Sequence, residues 1–386
     1  MSLSLFRSCS RTRTRSRTSA AVAVLLATSL LAACSGDSGG SGGSADTSGS
    51  AGDSAEPTRV RFGLPTQMGA NNSPMAVAEH LGYFDEEGID LEIVHTTDST
   101  SIVQGINTGA LEIGSTPPEP LWQAIESGSD LQLVYNYIRQ QTGSIVSLAD
   151  GPIQDLSDLE GASIGQSSLG SSNLLLANGI LDSVGFTEGE DFDNIAVGTG
   201  AAALQALEAD QVQALSLWDT EYAAFEATGV ELNYFTTPEV ASLFSTTYFT
   251  SPDYLEASPD VVEGFGRAMA KATLFTATNP EAALRIMYED FPATRLAGVS
   301  EDEQLATDLT ALERRIELLT ADDPEGTATW GAYAPEAVTA WATFAVDSGI
   351  VPAEIDAQAH VQNLLVEGYN DFDGEAVVAE AAGWTE

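Results

Sequence analysis

The sequence predicts an α/β fold of two lobes, each a mixed, mostly parallel sheet flanked by helices, with a ligand in the cleft between them. Three observations predict it: strand-like and helix-like stretches alternate, the alternation occurs twice, and the loops after the strands are rich in hydroxyl, amide and glycine. In the first copy RVRFGLPT (59–66) alternates as a half-buried strand does, and PMAVAEHLGYF (74–84) has the apolar spacing of a short helix with its turn. IDLEIVHT from Ile89 is a second strand, SIVQGINTG (101–109) a second helix and LEIGST (111–116) a third strand. The order recurs in ASIGQSS from Ala162, SSNLLLANGILDSVGF from Ser171, DNIAVGT from Asp193, AAALQALEAD from Ala201 and VQALSLWD from Val212. Phe62 and Ile164, Ile93 and Ile195, and Ile113 and Leu215 all lie 102 residues apart. A repeat of this kind implies two lobes of one design.

The chain before these lobes has a different character. Arg7, Arg11, Arg13, Arg15 and Arg17 precede an apolar run of 14 residues (20–33) that is shorter than the roughly 20 needed to cross a bilayer. This is the layout of a signal peptide, residues 1–33. Leu31-Ala32-Ala33-Cys34 resembles the bacterial lipobox, which makes Cys34 a lipidated first residue of an extracytoplasmic, membrane-anchored protein. Residues 34–58 then read as that cysteine and a flexible Ser/Gly linker, with a reach of roughly 27 Å as a coil. Cys9 leaves with the signal, so no internal disulfide is expected. The remaining layout is 59–146 for the first part of lobe 1, 147–243 for lobe 2, 244–300 for a return to lobe 1 and 301–386 for a helical tail.

Charge narrows the partners. All 57 acids follow Cys34 while five of the 14 basic residues precede it, leaving about −48 on residues 34–386. Such an excess argues against a nucleic-acid partner, whose phosphates it would repel. It reads as a solvating shell or as an acidic binding surface. Lys271 is the single lysine.

Parallel α/β sheets bind ligands beyond the carboxyl ends of their strands. The candidate ligand residues are therefore Thr66, Gln67 and Thr116 in the first lobe, and Ser168, Gly170, Ser171, Ser172, Thr199, Trp218 and Asp219 in the second. A serine N-cap beside glycine leaves backbone N–H groups at the positive end of a helix, where an anion can sit without a lysine. Trp218 ends a strand at the cleft, where its ring either covers a ligand or packs in the core. Arg139, near the first crossover, is a guanidinium candidate or a surface arginine. Asp219 and Glu221 favour a donor-bearing or cationic ligand.

Several spacings imitate enzyme motifs. Gly198-Thr199-Gly200-Ala201-Ala202-Ala203 fits the dinucleotide fingerprint, with Asp219 about twenty residues on, but it is also the second strand-to-helix turn of lobe 2. Gly161–Gly165 fits the serine-nucleophile elbow, yet Ser163 opens a strand. Tyr369–Gly374, followed by Glu380, fits four places of a calcium loop with Tyr369 where the first aspartate belongs. His80 and His95 lack the partner spacing of a zinc site. No cofactor or metal is expected.

MAVAEHLGYFDEEGIDLEIV, IVQGINTGALEIGST, DLEGASIGQSSLGSSNLLL and AAALQALEADQVQALSLWDTEYAAFEATG together resemble the nitrate, sulfonate and taurine type (SsuA-like) solute-binding proteins of ABC importers. These are relatives of the thiamine pyrimidine-precursor binders. The resemblance runs from about Arg59 to Asn279 and implies a type II periplasmic-binding-protein fold that closes on its ligand by hinge motion. It implies a small solute of the sulfonate, taurine or nitrate class, a permease with a cytoplasmic ATPase as partner, and a monomer. A thiamine pyrimidine precursor is the alternative solute. A pyrimidine-synthase-like enzyme on the same fold is the remaining alternative; those enzymes are cytosolic and use a histidine and a lysine.

Overall fold

A computed structural model of the chain describes residues 56–321 and 329–385. The expected signal sequence, Cys34 and the linker through residue 55 lie outside the described residues. Among the described residues ten strands form two five-stranded sheets: β1 (Thr58–Leu64), β2 (Ile89–His95), β3 (Ile113–Thr116), β4 (Gln132–Asn136), β5 (Gly143–Leu148), β6 (Ser163–Gln166), β7 (Asp193–Ala196), β8 (Ala214–Trp218), β9 (Leu232–Phe235) and β10 (Thr247–Thr250). The first sheet has the order β2-β1-β3-β10-β4 and the second β7-β6-β8-β5-β9. In each, the strand that arrives from the other lobe takes the fourth place and runs antiparallel to its neighbours, β10 in the first and β5 in the second. The two crossings are therefore built into the sheets rather than laid over them.

The repeat is real but its register is not uniform. Phe62 faces Ile93 and Ile113, whereas the residue facing Ile195 and Leu215 is Gly165. The β1/β6 pair is thus offset by 103 residues and the other two pairs by 102. In a strand a single residue exchanges the faces. Phe62 therefore cannot be matched to Ile164, although both are fully buried.

Apolar clusters cover both faces of each sheet. Val60, Phe62, Tyr248 and Phe265 lie in one cluster against the first sheet, and Ile102, Trp122, Phe249 and Trp341 lie in the other. The second sheet has Ile164, Leu176 and Ala214 in one cluster and Val146, Leu217 and Tyr222 in the other. Each large side chain so buried contributes about 1.5–3 kcal/mol.

The C-terminal segment joins both lobes. Helix Glu301–Leu319, capped by Ser300 with Glu301, Asp302 and Glu303 in its first turn, packs on helix Asp219–Ala227 of the second lobe and on helix Pro280–Asp290 of the first. Helix Pro335–Asp347 sends Trp341 into the first lobe, where its indole N–H donates to the Phe244 carbonyl at 2.8 Å, while Phe344 also packs against the second lobe. The calcium-like loop is consumed here: Tyr369 is buried and donates to the Val134 carbonyl, Asn370 accepts from the Trp330 N–H, and Asp373 caps helix Gly374–Gly383. No helix among the described residues is long and apolar enough to cross a membrane.

Candidate functional site

The carboxyl ends of β1, β3, β6 and β8 meet around one cavity of about 90 Å³, several times the roughly 10–15 Å³ that a water needs. Leu64, Pro65 and Thr66 bring the end of β1 to it, and Ser115, Thr116 and Pro117 the end of β3. Asp98 and Ser99 enter from the turn after β2, where Asp98 caps helix Ser99–Asn107 by accepting from the Ser101 N–H at 2.8 Å. The second lobe contributes Ser167, the helix start Ser171-Ser172-Asn173, and Trp218.

Of the residues expected from sequence, Thr66, Thr116, Ser171, Ser172 and Trp218 line this cavity. Thr116 is fully buried and its hydroxyl makes no hydrogen bond among the described residues, a cost of about 1–3 kcal/mol if nothing compensates it. His95 steadies Thr66, its Nδ1 lying 2.8 Å from the Thr66 carbonyl oxygen. Ser171 caps its helix, accepting from the Asn173 N–H at 3.2 Å.

The other expected residues stand elsewhere, each for a physical reason. Gln67 is exposed beyond the rim. The Ser168 hydroxyl is buried without a partner but does not line the cavity. Gly170 forms part of the closed lip: a Cβ there would lie 2.8 Å from the Asp98 carboxyl carbon, and its carbonyl accepts from the Thr100 hydroxyl across the cleft at 3.3 Å. Thr199 is exposed, and the helix start at Gly200 is already occupied, because Glu221 accepts from the Gly200 N–H at 2.6 Å. The carboxylate that fills this helix terminus is thus the protein's own. Arg139 lies against the tail, with its guanidinium 5.5 Å from the Trp330 ring centre and one Nη donating to the Thr329 carbonyl.

Asp219 does not open toward a cationic ligand. Arg315 Nε donates to Asp219 Oδ2 at 2.8 Å and Nη2 to Oδ1 at 2.5 Å, and the two side chains are only 5% and 4% exposed. Burial opposes the Arg315 charge, but Asp219 outweighs it and raises the guanidinium above its ordinary pKa. Arg315 lines the cavity, and it is the only cationic side chain among the described residues that does. The tail sequence ALERRIELL showed two arginines on an acidic helix, with no signal that the second was buried.

The remaining wall is aromatic. Tyr137 and Tyr248 line the cavity and stack with ring centres 4.9 Å apart and planes at 22°, and Tyr135 stacks on the far side of Tyr248 at 5.3 Å. Burial pushes the Tyr137 hydroxyl up to about 12, so it is a neutral donor at physiological pH.

Two lobes joined by two crossings, with a polar and aromatic cavity at the strand ends, define the fold of the periplasmic solute-binding proteins of ABC importers. The chain belongs to the NMT1/THI5-like family, whose match spans residues 70–283. It is similar to the formylaminopyrimidine-binding protein of Halalkalibacterium halodurans, 24% identical over 230 residues that cover 59% of this chain and 69% of that one. It is also similar to the 4-amino-5-hydroxymethyl-2-methylpyrimidine phosphate synthase of Legionella pneumophila, 21% identical over 230 residues, 58% of this chain and 71% of that one. Among solved structures, the alkanesulfonate-binding protein SsuA from Xanthomonas axonopodis pv. citri superposes with a TM-score of 0.61 at 18% identity, covering 80% of this chain and 99% of that one. Arg315 lies outside the stretch matched by the family.

Proposed function

We propose that the protein is the extracytoplasmic solute-binding component of an ABC importer, held to the membrane through a lipid on Cys34, and that it carries a small neutral heterocycle of the aminopyrimidine class to a permease with a cytoplasmic ATPase. The observation that carries this reading is the wall of the cavity. A stacked tyrosine pair from the first lobe and Trp218 from the second offer flat faces to a ring, with hydroxyls and amides between them for its donors and acceptors. The single lining guanidinium is already neutralised by Asp219, so little net charge is left to hold a free sulfonate or nitrate. Lobe closure on such a ring follows from contacts made only when both lobes reach it.

A binding role suits the basic residues as well. Lys271 is engaged by Glu86 and by the Tyr83 ring, His80 by Asp290 and His360 by the Leu131 carbonyl, and none of the three lines the cavity. A sulfonate, taurine or nitrate solute is the second reading, favoured by the helix start at Ser172 that faces the cavity. Thermal shift and calorimetry with an N-formylaminopyrimidine, a hydroxymethylpyrimidine, taurine, ethanesulfonate and nitrate separate the two. The pyrimidines are expected to raise Tm in proportion to concentration; a panel in which only the anions bind overturns the proposal.

A further inference from the structure

We infer that Asp219 sets the charge of the solute: by holding Arg315 in a neutral pair on the cavity wall, it masks a subsite that otherwise takes small anions and leaves it to neutral acceptors. The inference deepens the proposed function and rests on its placing the solute in this cavity, not on the solute being a pyrimidine.

The geometry supplies the argument. Asp219 uses both carboxylate oxygens on Arg315 Nε and Nη2, which leaves Nη1 without a hydrogen bond to the described residues while the side chain lines the cavity. A solute can reach this donor, but a negative charge arriving there also meets Asp219 across the width of one guanidinium. In a buried site that repulsion is weakly screened. A carbonyl or ring nitrogen meets no such opposition. No second cation adds to the wall, because the one other charged lining residue among the described residues is the acid Asp98. At the helix start facing the cavity, the Asn173 N–H is already bound by the Ser171 hydroxyl. The Asp219 main chain is anchored to the first crossing, its N–H donating to the Thr142 carbonyl at 3.0 Å, and its carboxylate is held by the two bonds from Arg315.

This assigns a specificity role to a pair drawn from the second lobe and from a tail helix that the family match does not reach. Asp219 acts through Arg315 and is a positioning residue; Arg315 is the group that touches solute.

Calorimetric titration of ethanesulfonate and of nitrate into the full chain, into Asp219→Asn and into the double variant Asp219→Leu/Arg315→Met tests it. The unaltered chain is expected to bind both anions weakly. Asp219→Asn is expected to bind them about tenfold tighter or more, the scale of one charge-assisted hydrogen bond. The double variant, which removes both charges, is expected to return to weak binding. Tight anion binding by the unaltered chain that Asp219→Asn leaves unchanged overturns the inference, as does a folded Asp219→Asn that gains nothing. A second measurement needs no variant: an aminopyrimidine carboxamide is expected to bind the unaltered chain about tenfold tighter than the matching carboxylate, and the reverse order overturns the inference. Failure of every pyrimidine to bind counts against the proposed solute class, while the anion titrations still decide the role of Asp219.

Discussion

Thr142 Oγ1 and Ser245 Oγ lie 2.9 Å apart in the buried place where the two interlobe crossings pass each other. Around this contact the Ser245 N–H donates to the Ile138 carbonyl at 2.8 Å and the Ile138 N–H to the Thr246 carbonyl at 2.9 Å. The two connections therefore form one short hydrogen-bonded ribbon, and hinge motion has to be accommodated within it. Thr142→Val leaves the Ser245 hydroxyl without this partner and is expected to cost about 0.5–1.5 kcal/mol in urea unfolding. Small-angle scattering is expected to show a larger radius for the variant than for the unaltered chain; an unchanged radius and stability remove the ribbon from the hinge.

Gly170 is expected to be a test of lip closure. A methyl group there meets Asp98 at 2.8 Å, well inside the contact distance that real side chains adopt. Gly170→Ala should hold the lobes apart at this edge, weakening solute binding with little change in Tm. Loss of stability without loss of affinity counts against the lip.

The Asp219–Arg315 pair should show strong non-additivity. Removing either partner alone leaves a buried unpaired charge and is expected to cost about 3–5 kcal/mol, while replacing both by apolar residues of similar size is expected to be close to neutral. Urea denaturation of Asp219→Leu, Arg315→Met and the double variant measures this cycle. Additive losses show that the pair is not coupled.

Trp218 and Tyr137 line the cavity from opposite lobes. Trp218→Ala is expected to lower affinity by about 2 kcal/mol or more, as removal of a buried aromatic anchor does. Binding should also change the intrinsic fluorescence of the unaltered chain through this indole. Unchanged affinity in Trp218→Ala places the indole in the structural core instead.

Glu119 predicts a pH dependence. It is 1% exposed, its Oε2 has no hydrogen bond, and burial raises its pKa to about 8. The folded value exceeds the unfolded one of 4.5, so its contribution is fully present below that pH and is lost as pH rises through about 8. Glu119→Gln is expected to flatten the fall in Tm between these limits; a parallel fall in both proteins assigns it to other groups. Glu79, raised to about 7 by burial and by Asp290, adds to the fall in the same direction over a narrower pH window.

Much of the sheet was legible because β1, β2, β3, β6, β7 and β8 are short strands, each followed by a helix or turn, and that alternation is local. The one-residue displacement between β1 and β6 was not, since Phe62 and Ile164 are both apolar and only hydrogen-bond register distinguishes their neighbours. At the site, the hydroxyls of Thr66, Thr116, Ser171 and Ser172 were readable from their place at strand ends and helix starts. Arg315 was not, because a partner 96 residues away leaves no trace in spacing. Asp219 looked available to a solute for the same reason. Tyr137 follows the end of β4 at the first crossing and Tyr248 lies in β10, four residues long, where too little pattern marks which way a ring turns.

Exposed and buried ion pairs of this very acidic chain differ in how far salt reaches them. Arg59 and Glu92 pair at 2.7 Å on the surface, where they are 67% and 42% exposed. In brine the screening length shrinks to about 3 Å at 1 M, and contacts of that kind fade. Asp219 and Arg315 are only 4% and 5% exposed, so their pairing is screened far less than the surface pair as salt rises. Added salt is therefore expected to loosen the surface pairs well before it reaches the pair on the cavity wall.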